Sequence, residues 1–156
     1  MDATVREILK FKGTHVYTVA PAAPVLDVAK TMHDHAVGCV VVVRGLEMVG
    51  IVSERDIVRR IAAERRDAAT TVVADVMTRK VWSVTPETSV REAMWLVSQT
   101  RCRHLPVLGP HELVGLISAG DVMAWYLREL ETELTHMDTY IHGPLSISSR
   151  PPPVLP

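Results

Sequence analysis

Asparagine is absent from this chain, and cysteine, phenylalanine and long apolar runs are scarce. Without Asn there is no N-glycosylation acceptor and no Cys-His-Asn catalytic arrangement. The two cysteines, Cys39 and Cys102, make no disulfide framework, and no C-x-x-C occurs; reduced thiols and a cytoplasmic setting are expected. Aromatics are only 4% and the formal net charge is −1. Neither a stacking platform nor a basic field is therefore available to gather nucleic acid. The longest apolar run, residues 37–43, is far short of the roughly 20 needed to cross a bilayer. Asp2, Arg6, Glu7, Lys10 and Lys12 interrupt the first thirteen residues, so a secretory leader is not expected. What remains is 156 residues, 47% apolar and 22% charged. That is enough to bury a core, as one domain or as two small halves sharing one.

The chain repeats itself. Shifted by 65 residues, Pro21 falls on Pro86, and Val16, Val19, Val25 and Val42 fall on Val81, Val84, Val90 and Val107. Glu47, Val49, Gly50, Ser53 and Asp56 fall on Glu112, Val114, Gly115, Ser118 and Asp121 without a gap. The lead-in differs: residues 5–9 match residues 73–77 at an offset of 68, so the first copy carries three extra residues before its first strand. This is an internal duplication.

Each copy spells the same elements. Residues 16–19 and 81–84 are short β-rich runs, each stopped by a proline soon after. Val25, Val28, Ala29, Met32 and Ala36 recur at helical spacing, as do Val90, Ala93, Met94 and Val97. Hairpins follow, from residues 39–43 to 48–52 and from 104–108 to 113–117. A second helix starts after Ser53 and after Ser118. The order is βαββα, twice. One copy alone would struggle to bury its three-stranded sheet, whereas two can cover each other about a pseudo-twofold axis.

The expected organisation is a first repeat over residues 3–66, a polar linker over 67–72 and a second repeat over 73–130. Beyond it, Met123, Tyr126, Leu127, Leu130, Leu134, Met137 and Ile141 continue an apolar stripe. This predicts a long last helix, with an extension over 131–143, before a flexible Pro-rich tail over 144–156.

The chemistry centres on Gly50-Ile51-Val52-Ser53-Glu54-Arg55-Asp56 and its echo, Gly115-Leu116-Ile117-Ser118-Ala119-Gly120-Asp121. Ser with Asp three residues on is a capping box and needs no ligand. The same geometry also delivers a hydroxyl and free N–H groups to a cleft, where an anion fits, and an Asp one turn on can accept a ribose diol. A cap that faces a cleft does both. Other candidates are weaker. His33 and His35 point to different helix faces and make a poor metal pair. The Arg59-Arg60 and Arg65-Arg66 pairs read as a solvated helix face, and Trp82, Trp95 and Trp125 as isolated packing residues.

Two βαββα copies, each closing on Gly-h-h-Ser-x-x-Asp, resemble a tandem pair of cystathionine-β-synthase (CBS) domains, the Bateman module. Asp75-Val76-Met77, Val84-Thr85-Pro86 and Arg103-His104-Leu105-Pro106-Val107 are similar to that family's patterns. The resemblance implies a regulatory module without catalysis. It would bind an adenine-containing ligand (AMP, ADP, ATP, NAD or S-adenosylmethionine) in clefts between repeats and dimerise through helices. Carried over by residue, it places Asp121 on the ribose, Ser118, Arg103 and His104 near the phosphate, and Thr14, His15 and Val16 around the adenine with Val37 opposite. The second site would use Asp56, Ser53, Thr78, Lys80 and Val81, with Cys102 opposite and Arg55 or Lys80 as its cation. Since Gly38 and Cys39 stand where the other copy has Arg103 and His104, unequal sites are expected, with phosphate preferring Asp121.

Two other classes compete. A small hydrolase or transferase built on Cys102 or a His lacks any nucleophile–base–orienter set, G-x-S-x-G, H-E-x-x-H or Walker A loop. A nucleotide-independent adaptor would act through its dimer helices and leave its clefts empty.

Overall fold

The computed structural model describes residues 3–142. In its first half the elements are α1 (Val5–Lys12), β1 (Thr18–Val19), α2 (Val25–His35), β2 (Cys39–Arg44), β3 (Glu47–Ser53) and α3 (Glu54–Ile57). A single π-helical turn, Val58–Ala62, continues α3. The second half holds α4 (Val73–Val76), α5 (Val90–Thr100), β4 (His104–Leu108), β5 (Leu113–Ser118) and α6 (Ala119–His142).

Strand β2 is a run of valines because both of its faces are covered, leaving no reason for polar alternation. It pairs parallel with β1 and antiparallel with β3, and Val40, Val41 and Val42 are all but inaccessible. The second sheet has two strands, β4 and β5. Its expected third strand contracts to Val84, which donates to the Pro106 carbonyl and accepts from Leu108 N. Pro86, with no N–H, stops the pairing there. Helices α2 and α5 bury Val25, Val28 and Met32, and Val90 and Ala93. They end alike, at Ala36 and Arg101, both left-handed with φ of 52° and 53°.

The packed units are not the sequence repeats. Val5, Ile8 and Leu9 of α1 lie in the core of the second copy, with Val90, Leu105, Val107, Ile117 and Val122. Val73, Val76 and Met77, the second lead-in, lie in the first copy's core with Val28, Val40, Val42 and Val52. The lead-ins are exchanged. Backbone bonds fix the exchange: Val5 N donates to Thr88 O, Val90 N to Ala3 O, and Val73 N to Ala23 O. The polar linker is tied down as well, since Val25 N donates to Thr71 O and Leu26 N to Ala68 O, capping α2. Cys39, Val41 and Ile51 then meet Val81, Leu113 and Leu116 between the two sheets.

The long last helix begins at Ala119, directly after Ser118, and runs without a break to His142. The predicted tail over residues 144–156 lies outside the described residues. Among the described residues, no helix is long and apolar enough to cross a membrane.

Candidate functional site

The duplicated Ser-x-x-Asp forms a capping box in both copies. Ser53 N and Oγ donate to Asp56 Oδ2 at 2.9 and 2.7 Å. Ser118 N and Oγ donate to Asp121 Oδ2 at 2.6 and 2.7 Å. Each hydroxyl also accepts from its own Asp amide, at 3.4 Å from Asp56 N and 3.2 Å from Asp121 N. The hydroxyls are therefore engaged in starting the helices, and beyond this point the copies part.

Asp56 is 8% exposed. Its second oxygen, Oδ1, accepts from Thr78 Oγ1 at 2.9 Å and faces Arg60 Nη1 at 3.3 Å. Arg60 also donates to the Val76 carbonyl, so it bridges the helix to the exchanged lead-in. Around this carboxylate opens a groove of about 350 Å³, within the size range of small-molecule sites. It is walled by Ser53, Arg55 and Arg59 on one side, Thr78, Lys80 and Trp82 on another, and Thr100, Arg101, Cys102, Arg103 and His104 opposite. Six cationic side chains face it, against the carboxylates of Glu54 and Asp56.

His104 adds no seventh charge. Burial holds its imidazole below the usual value, and Lys12 and Arg103 act in the same direction against the opposing pull of Glu54 and Asp121. Cys39, behind the groove, is likewise neutral: burial, then the charge of Asp56 and the neighbouring Cys102, push its thiol up to about 12. Cys102 Sγ donates to the His104 carbonyl at 2.9 Å. Among the described residues, no cluster of His, Cys, Asp and Glu is arranged to hold a metal.

Asp121 has a different neighbour. Lys12, at the end of α1, places Nζ 2.5 Å from Asp121 Oδ2 and 3.1 Å from the Leu116 carbonyl. Burial raises this carboxyl's pKa, but the Lys12 ammonium and the Ser118 donors outweigh it and hold it below the ordinary range.

The residues named from sequence divide accordingly. Asp56, Ser53, Arg55, Thr78, Lys80 and Cys102 share one groove. Arg103 and His104, expected beside Asp121, line the Asp56 groove, and they also adjoin the second motif, since His104 pairs with Ser118 in the hairpin and the Arg103 carbonyl accepts from Ala119 N. Val81 packs between the sheets and does not line the groove. Thr14, His15 and Val16 border a separate hollow with Gly45, Leu46, Glu112 and Leu113, while Val37 packs on the first copy's core. Sequence reasoning missed Trp82, Arg101, Arg59 and Arg60. The last two were legible: positions three and four after Asp56 place them over it on a helix.

The model of the CBS domain matches residues 5–63 and 73–128. The CBS domain-containing protein CBSX3, mitochondrial, of Arabidopsis thaliana is 36% identical over 151 residues, covering 91% of this chain and 73% of that one. A solved structure from Burkholderia ambifaria, described as a putative signal-transduction protein with CBS domains, is 40% identical with a TM-score of 0.77. The match covers 81% of this chain and 95% of that one. A CBS domain pair solved with 5′-methylthioadenosine and S-adenosyl-L-methionine shares the fold at 19% identity and a TM-score of 0.72, over 83% of this chain and 99% of that one. Two matched repeats, and a structural likeness over about four fifths of the chain, make it a member of the CBS domain family, with both halves of the pair on one polypeptide.

Proposed function

We propose that this chain is a non-catalytic regulatory module that takes an adenine nucleotide into the Asp56 groove and transmits its occupancy to a partner protein. The observation that carries it is the convergence of Arg55, Arg59, Arg60, Lys80, Arg101 and Arg103 on one carboxylate-bearing hollow. Cations in that number suit a ligand with two or more phosphates, such as ADP, ATP or NAD, better than AMP. Asp56 Oδ1 is the acceptor for a ribose diol, which must displace Thr78 or Arg60 from it. Trp82, 55% exposed at the groove wall, offers a face for the base. The complex of a neighbouring pair with two adenosine compounds lends support at the level of the fold.

A ligand that spans both copies favours the arrangement in which both grip it, which is how occupancy becomes a signal. The module acts as a cytoplasmic homodimer in this proposal. Its seam is the exposed apolar stripe of α6, where Met123, Leu127, Leu134 and Met137 are each about half exposed or more.

A thermal-unfolding panel with AMP, ATP, NAD and S-adenosylmethionine tests the reading. At a hundred times Kd, mass action contributes about 2.7 kcal/mol, a rise of roughly 5–10 °C for a chain of this size. Arg101→Ala with Arg103→Ala is expected to weaken ATP about tenfold or more. No shift with any of the four at millimolar concentration refutes the nucleotide site.

A further inference from the structure

We propose that Lys12 is a built-in occupant of the Asp121 carboxylate, standing where the other copy leaves room for a ligand. The inference rests on the reading of the Asp56 groove as a nucleotide site and extends it to the second copy.

The two lead-ins differ in length at one place. Helix α1 has eight residues where α4 has four, so it runs about 6 Å further. In the shorter copy the chain leaves its helix at Met77 and Thr78 does two things. Its amide donates to Ile51 O at 2.8 Å and its hydroxyl to Asp56 at 2.9 Å. In the longer copy a single ammonium does both: Lys12 Nζ reaches Leu116 O, the counterpart of Ile51 O, and Asp121. A polar wall is thereby replaced by a charged side chain lying on the carboxylate.

The sequence positions equivalent to the Asp56 lining change in step. Shifted by 65 residues, Arg55, Arg59, Arg60, Lys80, Arg101 and Arg103 become Gly120, Ala124, Trp125, His15, Ala36 and Gly38. The Ser and the Asp are retained, but none of those six cations is, and the cation beside Asp121 is Lys12 itself. Without those six, the place beside Asp121 suits an uncharged adenosine. A neutral diol cannot match the charge-assisted bonds that Lys12 already makes to the same carboxylate. The chain should therefore take a ligand at Asp56 and none at Asp121.

Equilibrium dialysis of labelled adenosine against protein saturated with ATP decides the point. The wild type is expected to take up no adenosine, Lys12→Met about one per chain, and Lys12→Met with Asp121→Ala none again. Cooperative thermal unfolding of each variant shows that it is folded. Adenosine bound by the wild type overturns the proposal, and so does a folded Lys12→Met that binds none. A fall in ATP uptake on Lys12→Met also overturns it, by making Lys12 a phosphate ligand. Should ATP bind to no variant, the nucleotide reading of the Asp56 groove fails. The difference in adenosine uptake between wild type and Lys12→Met still decides the role of Lys12.

Discussion

Asp56 and Asp121 occupy the same place in two copies of one motif, yet one is the floor of a groove and the other is half of an ion pair. Both carboxylates receive the amide and hydroxyl of the serine three residues before them. The local motif thus fixes the capping box and nothing more. What separates the sites lies outside the motif: Arg60 one turn further along the helix and Thr78 of the exchanged lead-in on Asp56, Lys12 on Asp121. Duplication copied the scaffold, and the length of the exchanged lead-in decided what each scaffold faces.

Removing each carboxylate breaks the comparison most sharply. Asp56→Ala leaves Ser53 N, Ser53 Oγ, Thr78 Oγ1 and Arg60 without their acceptor in a nearly closed site. It is expected to cost about 3 kcal/mol. Asp121→Ala releases Lys12, its side chain already 36% exposed, to water, so about 1 kcal/mol is expected. Urea unfolding of the two variants checks the order, and equal losses would mean that the partners from outside the motif do not matter.

The glycine that opens each motif sharpens the comparison at smaller scale. A methyl on Gly50 would come within 2.8 Å of the Thr78 carbonyl oxygen, a backbone atom that holds the Ile51–Thr78 bridge. A methyl on Gly115 would come within 2.7 Å of Leu9 Cδ2, the end of a side chain that can turn aside. Gly50→Ala is expected to cost about 2 kcal/mol and Gly115→Ala about 1. Unfolding midpoints measure both. The first substitution should also weaken ATP, because it displaces a wall of the groove, whereas the second should leave ATP binding unchanged.

Much of this architecture was legible in the sequence, and the part that was not has a common cause. Periodicity gave the helices and hairpins, since burial of Val25, Val28 and Met32 or of Val40 and Val42 is a property of local spacing. The capping boxes were legible for the same reason. The exchange of lead-ins was not, because Val5-Ile8-Leu9 and Val73-Val76-Met77 are equivalent apolar faces and either core would accept either one. Site assignment inherits that ambiguity: the resemblance pairs Arg103 with Asp121, and the fold also gives Arg103 a place in the lining around Asp56. The three extra residues of the first lead-in were visible as a gap in the repeat. Their consequence, one more turn carrying Lys12, needed the structure.

The smallest expected effect comes from positions 39 and 104, which correspond in the two copies and are both uncharged at neutral pH. Cys39 stays a thiol throughout the accessible range. His104 does titrate, and burial first, then Lys12 and Arg103, lower its folded pKa below 6.5. As pH falls below 6.5, the unfolded chain takes up the His104 proton before the folded one does. Stability should therefore decline from about pH 6.5 down through the folded pKa and level off below it. His104→Gln removes that slope, and unfolding midpoints between about pH 5 and 8 read it. A phosphate bound in the groove reverses the balance by favouring the imidazolium, so ATP should bind more tightly as pH falls below about 6.5. His104→Gln should flatten that dependence too. A slope in ATP affinity that survives the substitution would place the titrating group elsewhere and remove His104 from the phosphate wall.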